Sequence, residues 1–250
     1  MLDTLNQFHS YVSETLQKVA TEQAENIRKA ASMIADAIEN GGSFHIFGTG
    51  GHSNMAAIEM CHRAGMLVCA NAILDPGLGC EHGATRWCER IVGYADQVVM
   101  RYYNVKRGDV LLQINAYGIN SVTIDTAEYC RKNGVGLIAI TAPALTDLVD
   151  KNQHNRHPSG KKLYELADVV IDDYTPQGEA IVEIDGYENK VSPASSVINL
   201  FIVDAINAEV CKQLHDRGIE PEVWVSGNRA EGDNKNQENL DKWKLKLRHI

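Results

Sequence analysis

The hydrophobic pattern of the chain alternates between short, continuously apolar runs and longer stretches in which apolar residues recur every three or four positions. Apolar runs of about four to six residues between helical segments are typical of parallel strands buried on both faces. Right-handed crossovers between such strands give a three-layer α/β/α sandwich. The sequence therefore predicts an α/β protein with a five-stranded parallel sheet, whose strands lie at residues 43–47, 66–70, 109–114, 137–141 and 168–171.

Helical spacing dominates the start of the chain and the segments between the apolar runs. Helices are predicted at residues 4–40, 55–64, 121–133 and 197–214. The polar stretch 151–162 predicts an exposed loop, and the tail from Gly227 predicts either a surface arm or a segment that wraps a neighbouring subunit. Because no repeat or low-complexity tract divides the chain, we expect one domain over 1–250, with N-terminal helices (1–42), an α/β core (43–215) and a C-terminal arm (216–250).

The formal net charge of −9 argues against nucleic acid or an anionic membrane as the main partner. It is compatible with a phosphorylated small molecule, because local amides and hydroxyls bind phosphate whatever the overall charge. The start of the chain includes Asp3 and Glu14 and lacks the apolar stretch of a signal peptide. No run approaches the roughly 18 apolar residues of a membrane span. We therefore expect a cytoplasmic protein with a small anionic ligand.

A glycine-rich loop, Gly48-Thr49-Gly50-Gly51-His52-Ser53, connects the first predicted strand to the next helix. Its glycines permit positive φ and leave room for a ligand beside the amides. The unpaired amides at the helix start favour an anion, and the two hydroxyls add donors. The alternative is a tight turn in which Ser53 caps the helix. The loop is neither a Walker A motif nor a dinucleotide fingerprint, so the pattern predicts an anion site without naming the anion.

The third predicted strand ends in a comparable loop, Asn115-Ala116-Tyr117-Gly118-Ile119-Asn120-Ser121. In a flavodoxin-like strand order, 2-1-3-4-5, the loops after strands one and three flank the crevice where ligands bind. Asn115, Asn120 and Ser121 offer side-chain donors, although Asn120 or Ser121 would also suit the cap of the following helix. Two polar loops at these two positions favour a ligand site between them.

The long N-terminal helix followed by these two loops resembles the sugar isomerase (SIS) domain. Further motifs are similar to those of a bacterial group of phosphosugar isomerase-like SIS proteins, distant relatives of phosphoheptose isomerase, and extend the resemblance over nearly the whole chain. They are Glu59 with Arg63-Ala64-Gly65, Glu89-Arg90 with Gly93-Tyr94-Ala95, and residues 157–164, 167–172 and 218–221. The resemblance implies a flavodoxin-like topology with an N-terminal helical extension, a homodimer or homotetramer, and a phosphosugar bound across the two loops.

By this resemblance, the candidates for binding the phosphate are Thr49, Ser53, Asn115, Asn120 and Ser121. SIS proteins commonly have serines at the places where Asn115 and Tyr117 stand here. Asparagine still donates through its amide, whereas the bulky Tyr117 is expected to contact the sugar. This departure leaves the anionic group open between a phosphate, a sulfonate and a carboxylate.

Interconversion of an aldose and a ketose through an enediol needs a base at the α-carbon and an acid beside the carbonyl oxygen. Glu59, two turns into the helix after the glycine loop, stands in an apolar stretch and is one candidate, with a salt bridge to Arg63 as the alternative. His52 lies at the start of the same helix. Glu89 and His82 lie in the long segment before the third strand, from which related proteins bring catalytic carboxylates, sometimes across a subunit interface.

The sequence therefore predicts a sugar isomerase for an aldose and ketose bearing an anionic group, with no organic cofactor and no metal. Phosphoheptose isomerases have a histidine on the last long helix, and the matching residues 192–199 here contain none. The acid–base pair must therefore differ. The alternatives are an SIS-type etherase or lyase and a non-catalytic sugar-phosphate sensor. The sensor is disfavoured because the chain has no helix-turn-helix and no basic segment.

Overall fold

The computed structural model describes residues 3–80 and 83–248. Its helices are α1 (Thr4–Glu22), α2 (Ala24–Glu39), α3 (Asn54–Glu59), α4 (Thr85–Cys88), α5 (Met100–Tyr102), α6 (Ser121–Asn133), α7 (Pro143–Leu148), α8 (Leu163–Leu166), α9 (Ser195–Asp216) and α10 (Gly232–Trp243). A 3-10 turn spans Pro76–Leu78, and a π-helical turn at Ala95–Val99 leads directly into α5. In this part of the chain, no helix combines the length and the apolar character needed to cross a bilayer.

A five-stranded parallel sheet forms the middle layer, in the order β2-β1-β3-β4-β5. Its strands are β1 (Phe44–Gly48), β2 (Ala70–Ala72), β3 (Val110–Ile114), β4 (Gly136–Thr141) and β5 (Val169–Asp172), and β6 (Ala180–Val182) and β7 (Val191–Pro193) form a separate antiparallel hairpin. This is the predicted flavodoxin-like order, so the α/β sandwich is confirmed. The strand order reverses between β1 and β3, and a crevice opens at the carboxyl ends of such a pair.

Helices cover both faces of the sheet because alternate side chains of each strand point in opposite directions. On β3, Val110, Leu112 and Ile114 belong to the apolar cluster that includes α2 and α9. Leu111 belongs to a second cluster, which includes α6 and the π-helical turn. Continuous apolar runs are therefore required in the central strands, as the sequence pattern indicated.

The second strand lies further along the chain than predicted. β2 is Ala70–Ala72, whereas the apolar run was expected to form a strand at 66–70. Two residues of that run bond instead to the segment after α9: Trp224 N–H donates to the Met66 carbonyl, and Val68 N–H donates to the Glu222 carbonyl, both at 2.9 Å. The run is apolar because it is buried beneath the C-terminal segment, which satisfies its backbone groups outside the sheet.

Tertiary hydrogen bonds also interrupt two predicted helices. The helix expected over 4–40 breaks at Gln23, whose Nε2 donates to the Tyr174 hydroxyl at 2.7 Å and whose Oε1 accepts from the Asp172 N–H at 3.3 Å. The helix expected over 55–64 ends at Glu59, and His62 adopts a positive φ of 55°. Beyond Glu59 the Gly65 N–H donates to the Trp224 carbonyl at 2.8 Å, so contacts with distant residues override the local 3.6-residue pattern at both places.

The residues after α9 form an arm on their own chain. Asn236 Nδ2 donates to the Val225 carbonyl at 2.7 Å, and Val225 N–H donates to Asn236 Oδ1 at 3.0 Å. The loop at 151–162 is only partly exposed as predicted, because His157 is 8% exposed and its N–H donates to the Ile119 carbonyl at 2.7 Å. This contact brings the loop to the same edge of the sheet as the second polar loop.

Candidate functional site

A cavity of about 280 Å³ lies where the loops after β1 and β3 meet. The sequence analysis named eight of the residues that line it: Gly50, Gly51, His52, Ser53, Glu89, Asn115, Tyr117 and Asn120. The structure therefore brings the two polar loops to one site at the topological switch point of the sheet.

Close packing, not positive φ, explains the glycines of the first loop. Gly48, Gly50 and Gly51 all have φ outside the left-handed region, contrary to the sequence-based expectation. A Cβ at Gly48 would lie 2.2 Å from the carbonyl carbon of Ser53, and a Cβ at Gly50 would lie 3.2 Å from Asn115 Nδ2. Glycine is needed because the helix start and the second loop approach the backbone of the first loop so closely.

Thr49 does not reach the cavity, although its hydroxyl was a candidate for binding the anion. Thr49 is fully buried, and its hydroxyl hydrogen-bonds the hydroxyl of Thr123 at 2.6 Å. Its N–H donates to the Ile114 carbonyl at 3.1 Å, and its carbonyl accepts from Asn120 Nδ2 at 3.2 Å. These bonds connect the glycine loop to β3 and α6, so Thr49 maintains the shape of the loop.

The second loop orients two asparagine side chains. Asn115 Oδ1 accepts from the Gly118 N–H at 2.8 Å, and the Nδ2 group of the same amide lies beside Gly50. Asn120 Oδ1 accepts from the Thr123 N–H at 2.9 Å and so caps α6. Ser121, a further candidate, is 3% exposed at the start of α6 and is not part of the cavity wall. Gly118, at φ 61°, is likewise buried outside the wall.

Glu89 is a partly buried carboxylate on the cavity wall. Its side chain is 19% exposed, and its Oε2 accepts from Asn120 Nδ2 at 3.4 Å. Its carbonyl accepts from the Val122 N–H at 3.0 Å, which fixes its backbone to α6. Burial raises the pKa of Glu89, and the charge of Arg90, with Nε 3.9 Å from Oε1, offsets this only in part. A carboxyl group with a raised pKa is suited to accept and return a proton near neutral pH.

The other three acid–base candidates differ in their positions. His52 lines the cavity and is exposed to solvent. Glu59 is absent from the cavity wall, and its Oε1 pairs with Arg63 Nε at 2.5 Å, which is the alternative that the sequence left open. His82 lies outside the described residues. The described cavity therefore contains Glu89 and His52 of the four predicted candidates.

Five polar residues that the sequence analysis missed also line the cavity: Asn155, Glu179, Ser195, Ser196 and Asn199. They come from the segments that follow β4 and β5 and from the start of α9. The carboxyl ends of parallel strands meet at one edge of the sheet, so polar residues after every strand were candidates, not only those after strands one and three.

The start of α9 contributes both unpaired donors and a buried acceptor without a partner to the wall of the cavity. This helix of 22 residues begins at Ser195 without a side-chain cap, so its first amides have no intrahelical acceptor. The positive end of its dipole favours an anion there. Asn199 is 5% exposed, and its Oδ1 has no hydrogen-bond partner in the described structure. A buried acceptor of this kind is suited to a ligand hydroxyl.

Glu179 supplies a second carboxylate to the cavity. It follows a turn in which its N–H donates to the Pro176 carbonyl at 2.9 Å, and its own φ is +65°. A non-glycine residue in this region is strained, and such residues cluster at functional sites. Burial and the charge of Glu179 raise the pKa of Tyr117, against a hydrogen bond from the Gly178 backbone. Tyr117 therefore remains a neutral phenol facing the cavity.

The cavity wall is dominated by amide, hydroxyl and carboxyl groups. Within residues 3–80 and 83–248, no three His, Cys, Asp or Glu side chains are grouped so that they could hold a metal ion. Donors and acceptors for a polyhydroxylated ligand are abundant, and Glu89, Glu179 and His52 are available for proton transfer.

The comparisons with known proteins agree with the fold and with the sequence resemblance. The SIS domain model matches residues 7–142. UPF0309 protein GK1441 of Geobacillus kaustophilus is 34% identical over 245 residues, with 97% of this chain and 95% of that protein covered. The fold is similar to phosphoheptose isomerase GmhA of Neisseria gonorrhoeae, with a TM-score of 0.56, 15% identity and coverage of 82% and 95%. It is also similar to the Vibrio vulnificus NanR protein complexed with ManNAc-6P, with a TM-score of 0.52, 12% identity and coverage of 97% and 69%. The chain belongs to the SIS domain family.

Proposed function

We propose that the protein is a sugar isomerase that interconverts an aldose and a ketose bearing a phosphate or a similar anionic group. The observation that supports this most is Glu89, a partly buried carboxylate with a raised pKa in a cavity otherwise rich in hydrogen-bonding groups. Isomerisation through an enediol needs one such group beside two adjacent carbons. The fold shared with phosphoheptose isomerase is compatible with this chemistry.

In this proposal the anionic group binds between the glycine loop and the start of α9. The donors on the cavity wall are the amides of the helix start, the hydroxyls of Ser195 and Ser196, and Asn115 Nδ2. A hydroxyl of the sugar then bonds to Asn199 Oδ1, a buried acceptor that has no other hydrogen-bond partner in the described structure.

The proton transfers balance without any cofactor. Glu89 takes the proton from C2 of the aldose, and His52 gives a proton to the carbonyl oxygen on C1, which yields the enediol. Glu89 then returns its proton to C1, while His52 accepts the proton of the C2 hydroxyl, which yields the ketose. Each group ends in its starting state, so the enzyme is ready for another turnover.

A ligand screen followed by NMR tests the proposal. Thermal shifts would be measured with phosphorylated, sulfonated and carboxylated aldoses and ketoses, and every stabilising compound would then be incubated with the protein in D₂O. We expect at least one anionic sugar to stabilise the protein, to be converted to its isomer, and to take up deuterium at C1 or C2.

Other outcomes separate the alternatives. Stabilisation by a sugar phosphate without conversion or deuterium uptake would contradict the isomerase and favour a sensor. Release of an ether substituent from the sugar would favour the etherase. If no anionic sugar stabilised the protein, the proposed ligand class itself would be wrong.

We also propose that the protein acts as a homo-oligomer with the cavity near the subunit interface. Trp87, Ile91 and Val92, next to Glu89 in the chain, are 59%, 49% and 56% exposed. Exposed apolar side chains gathered along one segment are typical of an interaction surface. Light scattering should give a dimer or tetramer for the wild type and a smaller species for Trp87→Glu, and a monomeric wild type would contradict the proposal.

A further inference from the structure

A buried chain of hydrogen bonds lies at the amino-terminal edge of the sheet, opposite the cavity. His45 Nε2 lies 3.1 Å from Asp109 Oδ2, and Asn71 Nδ2 lies 3.0 Å from His45 Nδ1. His45, Asp109 and Asn71 are 2%, 1% and 0% exposed. Burying three polar side chains costs free energy unless their groups are satisfied, so a network of this kind needs a reason to exist.

Both ends of this network fix the backbone beside a cationic side chain. Lys106 N–H donates to Asp109 Oδ2 at 2.9 Å, and Arg248 N–H donates to Asn71 Oδ1 at 3.1 Å. Burial alone would raise the pKa of Asp109, but hydrogen bonds from His45 and from backbone amides outweigh burial and lower it. The ionised carboxylate and its partners therefore join two segments that are far apart in the sequence.

A pocket of about 140 Å³ at this edge is lined by three cationic residues, Lys106, Arg248 and Lys246. The wall also includes Ser43, His45 and Asn104. In the part of the chain that the structure describes, none of the three cations forms an ion pair, although Lys246 Nζ lies 4.9 Å from the centroid of the Trp243 ring. Two cations without a described counter-ion, Lys106 and Arg248, are unexpected at one pocket in a chain with 33 acidic and 24 basic residues. Their convergence indicates a site for an anion.

We propose that this pocket binds a phosphate group, either as inorganic phosphate or as the phosphate end of a small metabolite. Lysine and arginine donate charge-assisted hydrogen bonds to phosphate, and Ser43 and Asn104 add neutral donors. Both ring nitrogens of His45 are engaged by Asp109 and Asn71, so the ring forms part of the wall. At 140 Å³ against 280 Å³ for the sugar cavity, the pocket suits a phosphate group more than a whole sugar phosphate.

Amide NMR spectra of the full chain test this site directly. Inorganic phosphate, glycerol 3-phosphate and acetate would each be titrated at constant ionic strength, because salt screens exposed charges. We expect saturable shifts of the Lys106 and Arg248 amides with both phosphates, and much weaker ones with acetate. The amides of Gly50 and Asn115 report the sugar cavity, so binding at the two sites is distinguished. Saturation by inorganic phosphate alone or by the ester alone identifies which source the pocket accepts.

Matched charge variants complete the test. Lys106→Gln should weaken phosphate binding at this pocket about fivefold, and the Lys106→Gln/Arg248→Gln double variant more than about tenfold. Lys151→Gln removes the same charge from the exposed loop after α7 and should leave the affinity unchanged. Lys106 is exposed, and thermal melts would verify that its variant is folded. The proposal is overturned if the Lys106 and Arg248 amides show no saturable shift, or if Lys106→Gln and Lys151→Gln bind phosphate equally.

Discussion

Two glycines of the first loop, only two positions apart, should respond in opposite ways to the same substitution. At Gly48 an added Cβ would lie 2.2 Å from the Ser53 carbonyl carbon, which is backbone. At Gly50 the nearest atoms are side-chain atoms: Asn115 Nδ2 at 3.2 Å, Glu89 Oε2 at 3.6 Å and Ser53 Oγ at 3.7 Å. Gly48→Ala therefore tests the fold of the loop, and Gly50→Ala tests the cavity.

The distances set the expected magnitudes. Non-bonded carbons rest at about 3.5–4.0 Å, so Gly48→Ala requires a backbone shift of more than about 1 Å at the end of β1. Such overpacking costs about 3 kcal/mol, which lowers Tm by roughly 6–12 °C in a domain of this size. At Gly50 a few tenths of an ångström at Asn115 suffice, and the cost should stay under about 1 kcal/mol.

Ligand affinity should fall more in Gly50→Ala than in Gly48→Ala. The Gly50→Ala methyl group occupies the space between Asn115, Glu89 and Ser53, and we expect it to weaken binding of the anionic sugar about tenfold through lost hydrogen bonds. Thermal melts and calorimetric titration of both variants measure the two effects. Unchanged ligand affinity in Gly50→Ala, or an unchanged Tm in Gly48→Ala, would refute the reasoning.

Three further substitutions test the structure in and around the site. Burial raises the pKa of Asp173, which follows β5, from 3.8 to about 6, and hydrogen bonds from Thr175 and Asn199 offset this only in part. The stability present below about pH 4 is therefore lost as the pH rises from about 4 to 6. In urea unfolding, Asp173→Asn should be about 3 kcal/mol more stable than the wild type at pH 7 but not at pH 4. Glu59→Gln breaks the pair with the exposed Arg63, so it should lower the free energy of unfolding by under about 1 kcal/mol and leave turnover within about twofold in a kinetic assay. Loss of turnover would show that Glu59 takes part in catalysis. Asn199→Ala should raise KM about tenfold, because it removes a buried acceptor that has no other partner in the described structure, and it should also lower Tm, because it removes the hydrogen bond to the buried Asp173; an unchanged KM would contradict the role in binding.

Much of the fold could be predicted from the sequence because the central strands are apolar runs and some helices have local signals at their ends. α6 is the clearest case, since it spans Ser121–Asn133 as expected and ends at Gly134 in the left-handed conformation. β2 was misplaced because residues 66–70 are apolar for a different reason, their burial beneath the C-terminal segment. Hydrophobicity reports burial and does not identify the partner that provides it.

The candidate site could be predicted only where a local motif marks it. The glycine loop and the loop from Asn115 were identified by their residue types and by their place after strands. Glu179 and Asn199 were missed because no local pattern distinguishes them, and only the meeting of distant segments brings them to the cavity. Glu59 is a candidate in the sequence because a glutamate in an apolar stretch is unusual, and in the structure it forms the i, i+4 pair with Arg63 outside the cavity wall.

Solvent deuterium exchange into a bound anionic sugar, compared between Glu89→Gln and Glu59→Gln, tests the central claim most directly. Both variants replace a carboxylate with an amide of the same shape, but only Glu89 lines the cavity. We predict that Glu89→Gln still binds the sugar and loses about 100-fold or more of the exchange rate, while Glu59→Gln exchanges at nearly the wild-type rate. Exchange that persists in Glu89→Gln and disappears in Glu59→Gln would contradict the assignment of Glu89 as the group that moves the proton.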